Sequence, residues 1–190
     1  GSGGTDAGAM VIGTLNAGAD GTITINPGSG ETVSVDAVTN ANTLILTQSN
    51  GATFEGAVSA GTITLTDTTN NADILFQGNV TATTLTTAAQ GYDLSLTGSS
   101  NTITNAVTFQ NTGTLNLGDA SGDAFTFNGG LTESTSGTVT LAGSIDSSND
   151  AMSFGAVTLA ADTTLDSNAT DGAGDITIGA VTGSNNNLTL

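Results

Sequence analysis

The sequence predicts an all-β chain: a right-handed parallel β-helix, or β-solenoid, of about seven to eight turns of roughly 20–27 residues each. Three observations carry that expectation. Apolar and polar residues alternate in short runs such as Gly21-Thr-Ile-Thr-Ile25 and Leu94-Ser-Leu96, with no helical period anywhere. The apolar residues are mostly Val, Ile and Leu, which suit a pleated, half-buried surface. Pairs of small residues recur between the runs, and Gly or Asn there permits the sharp bends that separate strands.

Taken in order, residues 1–30 form an N-terminal segment with the first turn, and residues 31–190 form the repeats. Met10-Val-Ile12, Leu15 and the run ending at Ile25 make the first rung, and Asn26-Pro-Gly28 makes a turn. From Glu31 the units align on a Val or Leu that follows a small corner: Val38, Val58, Val80, Val107, Leu131, Val157 and Val181. An inward apolar residue precedes each corner: Val35, Phe54, Phe76, Ile103, Phe127, Phe154 and Ile178. The unit over 72–100 is overlong and predicts an extra strand pair, at Leu85 and at Tyr92–Leu96. Surplus length falls in Gly/Asn/Asp/Ser-rich stretches, namely 118–123, 146–150 and 166–175, which belong on projecting loops. Leu188-Thr-Leu190 lies in mid-pattern, so the repeats are expected to continue beyond it. Three strands per turn and unequal turn lengths favour the right-handed form.

Charge narrows the functional classes. The 190 residues hold 17 Asp plus Glu and no Lys, Arg or His, for a net charge of −17, and there is no Cys. Nothing can neutralise phosphate or an anionic membrane surface, which argues against nucleic acid and lipid as partners. Side-chain salt bridges and disulfides are impossible. Catalytic triads, Schiff bases and anion clamps lack their residues, so no enzyme is predicted. No apolar run approaches the ~18 residues of a membrane span.

Three patterns are candidate sites. Hard cations take clustered oxygen ligands, and Asp166, Asn168, Thr170, Asp171 and Asp175 crowd one Gly-containing loop, a candidate calcium site. Asp119/Asp123 and Asp146/Asp150 are weaker versions, since Asp and Asn also favour turns for their own sake. Thr-x-Thr pairs (Thr22/Thr24, Thr62/Thr64, Thr84/Thr86, Thr102/Thr104 and Thr138/Thr140) resemble the flat threonine arrays of ice-binding solenoids. Against that stand the abundance of Thr on solvated strands and the unequal repeat lengths, which argue against one regular lattice. Asn79, Asn168 and Asn187 each begin an Asn-x-Thr glycosylation triplet of the kind chance supplies in such a composition.

Gly174-Asp-Ile-Thr-Ile-Gly-Ala-Val-Thr-Gly183 and Phe154-Gly-Ala-Val-Thr-Leu159 resemble repeats of large secreted bacterial β-helix surface proteins, the filamentous-haemagglutinin and autotransporter-passenger type. The resemblance covers roughly residues 31–190. It implies a rod at the cell surface or outside the cell, which reads as a stalk or filament segment. Because open solenoid ends leave unpaired backbone groups, stacking end to end on copies of itself or on the continuing chain is expected. An adhesin touching a glycan or protein through its Asp/Asn-rich loops is the alternative, and an ice-binding solenoid a third.

Overall fold

A computed structural model describes residues 9–134, 137–167 and 174–190. They form a β-solenoid of parallel strands, with no helix among the described residues. Each turn lays a strand segment on each of three faces, here I, II and III. The first turn is β1 (Met10–Ile12), β2 (Leu15–Asn16) and β3 (Thr22–Ile25). In the second, β4 (Val33–Val35) lies on face I, and β5 (Val38–Ser49) bends from face II to face III through Asn40, at φ 53°. The third and fourth repeat this with β6 (Ala52–Phe54) and β7 (Val58–Thr68), then β8 (Asp73–Phe76) and β9 (Val80–Thr87).

The fifth and sixth turns use three separate strands: β10 (Asp93–Leu96), β11 (Ser100–Ile103) and β12 (Val107–Phe109), then β13 (Leu115–Leu117), β14 (Ala124–Phe127) and β15 (Leu131–Glu133). In the seventh, β16 (Val139–Asp146) bends from face I to face II at Gly143, at φ 81°, and β17 (Met152–Phe154) takes face III. The eighth has β18 (Val157–Asp166) and β19 (Ile176–Ile178), and β20 (Val181–Thr182) and β21 (Leu188–Thr189) begin another.

Period-two alternation sends one set of side chains inward, and parallel register stacks them. On face I the ladder runs Val35, Phe54, Phe76, Leu96, Leu117, Leu141, Leu159, and every member is buried. Phe54 and Phe76 stack with centroids 4.6 Å apart and planes 5° apart. All six Phe and the single Tyr are buried. One turn alone buries too few side chains, at roughly 1.5–3 kcal/mol each, to order its own backbone. The fold therefore exists only as a stack. At the tight corners successive turns approach closely: a β-carbon on Gly78 would overlap the backbone of Gly56, so this step of the stack takes glycine.

The structure corrects one expectation. The seven corner residues do not share a position. Val38, Val58 and Val80 stack on face II, Val107 and Leu131 on face III, and Val157 and Val181 on face I. The physical reason is an extra strand segment in two units. Between Val80 and Val107 the chain passes through β10 and β11, and between Leu131 and Val157 it passes through both halves of β16 and β17. Each unit then covers four strand segments instead of three, and the pattern advances by one face.

Candidate functional site

Of the five residues expected to hold calcium, Asn168, Thr170 and Asp171 lie outside the described residues. Asp166 ends β18 in register with Asp146, and Asp175 is exposed just before β19. The neck between them is closed by Ser167, whose hydroxyl donates to Gly174 O (2.7 Å) while Gly174 N–H donates back to Ser167 O (3.2 Å). Among the described residues no three acids gather as a metal site would require.

The weaker acidic pairs serve their own loops. Asp123, 6% exposed, accepts from the N–H groups of Asp119 (2.9 Å) and Ala120 (3.0 Å). Asp146 accepts from Ser148 N–H at 2.6 Å. Other carboxylates bridge neighbouring turns: Asp93 accepts from Thr114 N–H, Glu133 from Gly155 N–H and Asp162 from Asn187 N–H. With no cation in the chain, backbone amides are the donors that satisfy these acids. Two of the glycosylation triplets open on residues with structural partners. Asn79 accepts from Ser100 N–H (3.0 Å), and Asn187 donates to Asp162 (3.2 Å).

The threonine pairs divide. Thr22, Thr43, Thr62 and Thr84 fall in one column on face III, and Thr24, Ile45, Thr64 and Thr86 in the next. The pairing over these residues is continuous, without a bulge. Thr47 and Thr66 follow two residues on in β5 and β7, the start of a third column, whereas Asn26 and Ala88 lie just past the ends of β3 and β9. The unequal turn lengths are absorbed at the corners and leave this face regular, so irregular repeats do not imply an irregular face. Thr102 and Thr140 sit elsewhere, on faces II and I.

An open groove of about 540 Å³ runs along the rod beside face I, lined by Asn50, Gly51, Asn71, Ala72, Asp73, Thr53 and their neighbours. Gly51 (φ 125°) and Asn71 (φ 59°) set its rim. The sequence reading missed it, because its residues look like ordinary turn formers.

Also missed was a buried polar seam at the fourth and fifth turns. On face III the strand pairing stops between β9 and β12, leaving β12, β15, β17 and β19 as a separate four-stranded sheet. Thr87, 2% exposed, fills the break: its hydroxyl accepts from Gln110 N–H (2.8 Å) and donates to Thr108 O (3.3 Å). Beside it the fully buried Tyr92 hydroxyl accepts from Ala88 N–H (3.1 Å) and donates to Leu65 O (3.4 Å). Burial pushes that hydroxyl up to about 12, and its hydrogen bonds offset the effect only in part. Asn101 takes an inward position above Val80, accepting from Val80 N–H (3.0 Å) and donating to Gly98 O (2.6 Å). Polar residues at inward positions of an alternating run were the available signal. No protein family, curated protein or solved structure matches this chain.

Proposed function

We propose that this chain is a structural segment, a stalk or filament subunit, of a bacterial extracellular or cell-surface protein of the filamentous-haemagglutinin or autotransporter-passenger type. The observation that carries the reading is the inward ladder of face I, buried at every member from Val35 to Leu159, which ties the turns into one stack. The absence of Lys and Arg leaves trypsin no site, which suits life outside a cell. Among the described residues, the exposed large apolar side chains are Met10, Val11, Val181 and Leu190, all in the first and last rungs. A further rung, from continuing chain or from a second copy, would cover Met10 and Val181, which stand in the inward columns of Val33 and Val157, and pair the open strand edges.

The test is end-to-end association. Met10 N–H donates to Thr32 O and Asp36 N–H to Ile12 O, so the alternation of a parallel ladder turns Val11 N–H to the open side. Val11→Pro removes that donor without taking a bond from β4. Sedimentation velocity at rising concentration should show elongated oligomers for the unaltered chain and mostly monomer for Val11→Pro, with similar melting. A chain that stays monomeric throughout overturns self-assembly.

The groove beside face I favours adhesion as a second reading, with free amide, hydroxyl and carboxylate groups facing a glycan or protein. Its lining holds no aromatic ring on which a sugar could stack. Loss of attachment in Asn71→Ala/Asp73→Ala, with assembly intact, would put this reading first.

A further inference from the structure

We propose that face III of the first four turns binds the ordered water of an ice surface. Its outward positions on paired strands form two columns of four and a third of two, nine of the ten being Thr. Parallel strands fix the rows about 4.8 Å apart, and alternate residues along a strand fix the columns about 6.6 Å apart. Water joined tetrahedrally by O–H···O bonds of about 2.75 Å has second neighbours about 4.5 Å apart and a hexagonal-axis repeat of about 7.3 Å. Each spacing of the face lies within about a tenth of its counterpart in ice. A sheet therefore presents hydroxyls close to the places where lattice waters sit, with a methyl group beside each.

Two further observations single out this face. The chain carries 17 acids, yet none occupies the ten positions. A carboxylate there would draw water radially around itself and break the lattice. The hydroxyls are also uncommitted: among the described residues only that of Thr84 meets another side chain, accepting from Asn105 at 2.9 Å. Face I differs on both counts. Its Ser34 hydroxyl is held by Glu55 and its Ser95 hydroxyl by Asn116, and Leu75 interrupts the column. The array ends where the face III pairing breaks, at the fifth turn.

The inference is independent of the stalk reading, and its failure would leave that reading standing. The unaltered chain is tested for thermal hysteresis, for faceting of a single ice crystal and for partition into a growing ice front. Faceted crystals and enrichment in ice are expected. Thr64→Tyr, near the centre of the array, should lower the hysteresis about tenfold, as loss of a central contact does. Thr158→Tyr, outward on face I, should leave it unchanged. Thr64→Ser keeps strand and hydroxyl but removes the methyl, so it should lower the signal even if the tyrosine variant folds poorly. Circular dichroism confirms the fold of each. Smooth discs with exclusion of the unaltered chain from ice would overturn the proposal, as would equal losses in Thr64→Tyr and Thr158→Tyr.

Discussion

Turns two to four and turns seven and eight run the same local cycle, rotated about the axis by one face. In the earlier group the chain goes through a tight corner from face I to II, a smooth bend from II to III within β5, β7 or β9, and a loop corner back to I. In the later group the tight corner, at Gly155-Ala156 and Gly179-Ala180, joins face III to I. The smooth bend lies within β16 or β18, between I and II, and the loop corner leads from II to III. The buried hydroxyls follow the rotation. Ser49, Thr68 and Thr87 end the strands before the earlier loop corners, and Ser147 and Ser167 stand just after the strands before the later ones. The unit written in the sequence is this corner cycle, whereas the unit of the fold is one circuit of three faces. Turns five and six, with three separate strands each, let the two slip past one another.

The largest effect that sharpens this comparison lies in the core. Phe76 and Phe154 hold equivalent places in the cycle, each before a tight corner, and both are buried. Truncation to alanine should cost about 3–5 kcal/mol in either case. Phe76 also stacks on Phe54, whereas Phe154 pairs in register with Ile178. Phe76→Ala should therefore be the worse by about 0.5–1.5 kcal/mol, the worth of a ring pair beyond its area. Urea melts of the two variants check this, and a reversed order would break the equivalence.

The seam between the two groups gives a pH signature. Tyr92 is the chain's one tyrosine, and with no Lys, Arg or Cys it is the one side chain that titrates in the alkaline range. Its hydroxyl is raised to about 12 in the fold, against 10.0 ordinarily. Below pH 10 both folded and unfolded chains hold the proton, and the stability is fully present. As pH rises toward 12 the unfolded chain releases it first, so stability falls, by at most about 3 kcal/mol. Melting temperatures should drop across that window, together with a late phenolate absorbance. Tyr92→Phe should flatten the profile.

Strands, corners and most of the core were legible in the sequence because alternation fixes which residues point inward, whatever face they occupy. Faces were not legible. Val80 and Val107 follow similar corners, yet their separation holds an extra strand segment, and nothing local records how far round the axis the chain has gone. Asn101 and Thr87 escaped notice because each stands in an inward slot on the strength of hydrogen bonds made to another turn. The threonine face was obscured for the converse reason: pairs such as Thr62/Thr64 are read along a strand, and only the register across turns shows that the irregular lengths cancel at the corners. The calcium loop rested on Asp and Asn composition, which turn formation also demands, as Asp123 and Asp146 illustrate.

The smallest effect tests the rotation most directly. Ser49 donates to or accepts from Thr68 at 3.0 Å and accepts from Gly51 N–H at 3.3 Å. Ser147 donates to Asp150 O at 2.5 Å. Each buried hydroxyl ties the start of a loop corner to the backbone of that corner. Ser49→Ala and Ser147→Ala should each cost about 1 kcal/mol, the usual net worth of one such bond. The loss should show as faster amide exchange confined to the adjoining loop. If the cycle is what evolution repeats, the two variants match although they sit on different edges of the rod. If the three-faced circuit is the repeating unit, Ser147 has no counterpart at Ser49, and the two losses need not agree.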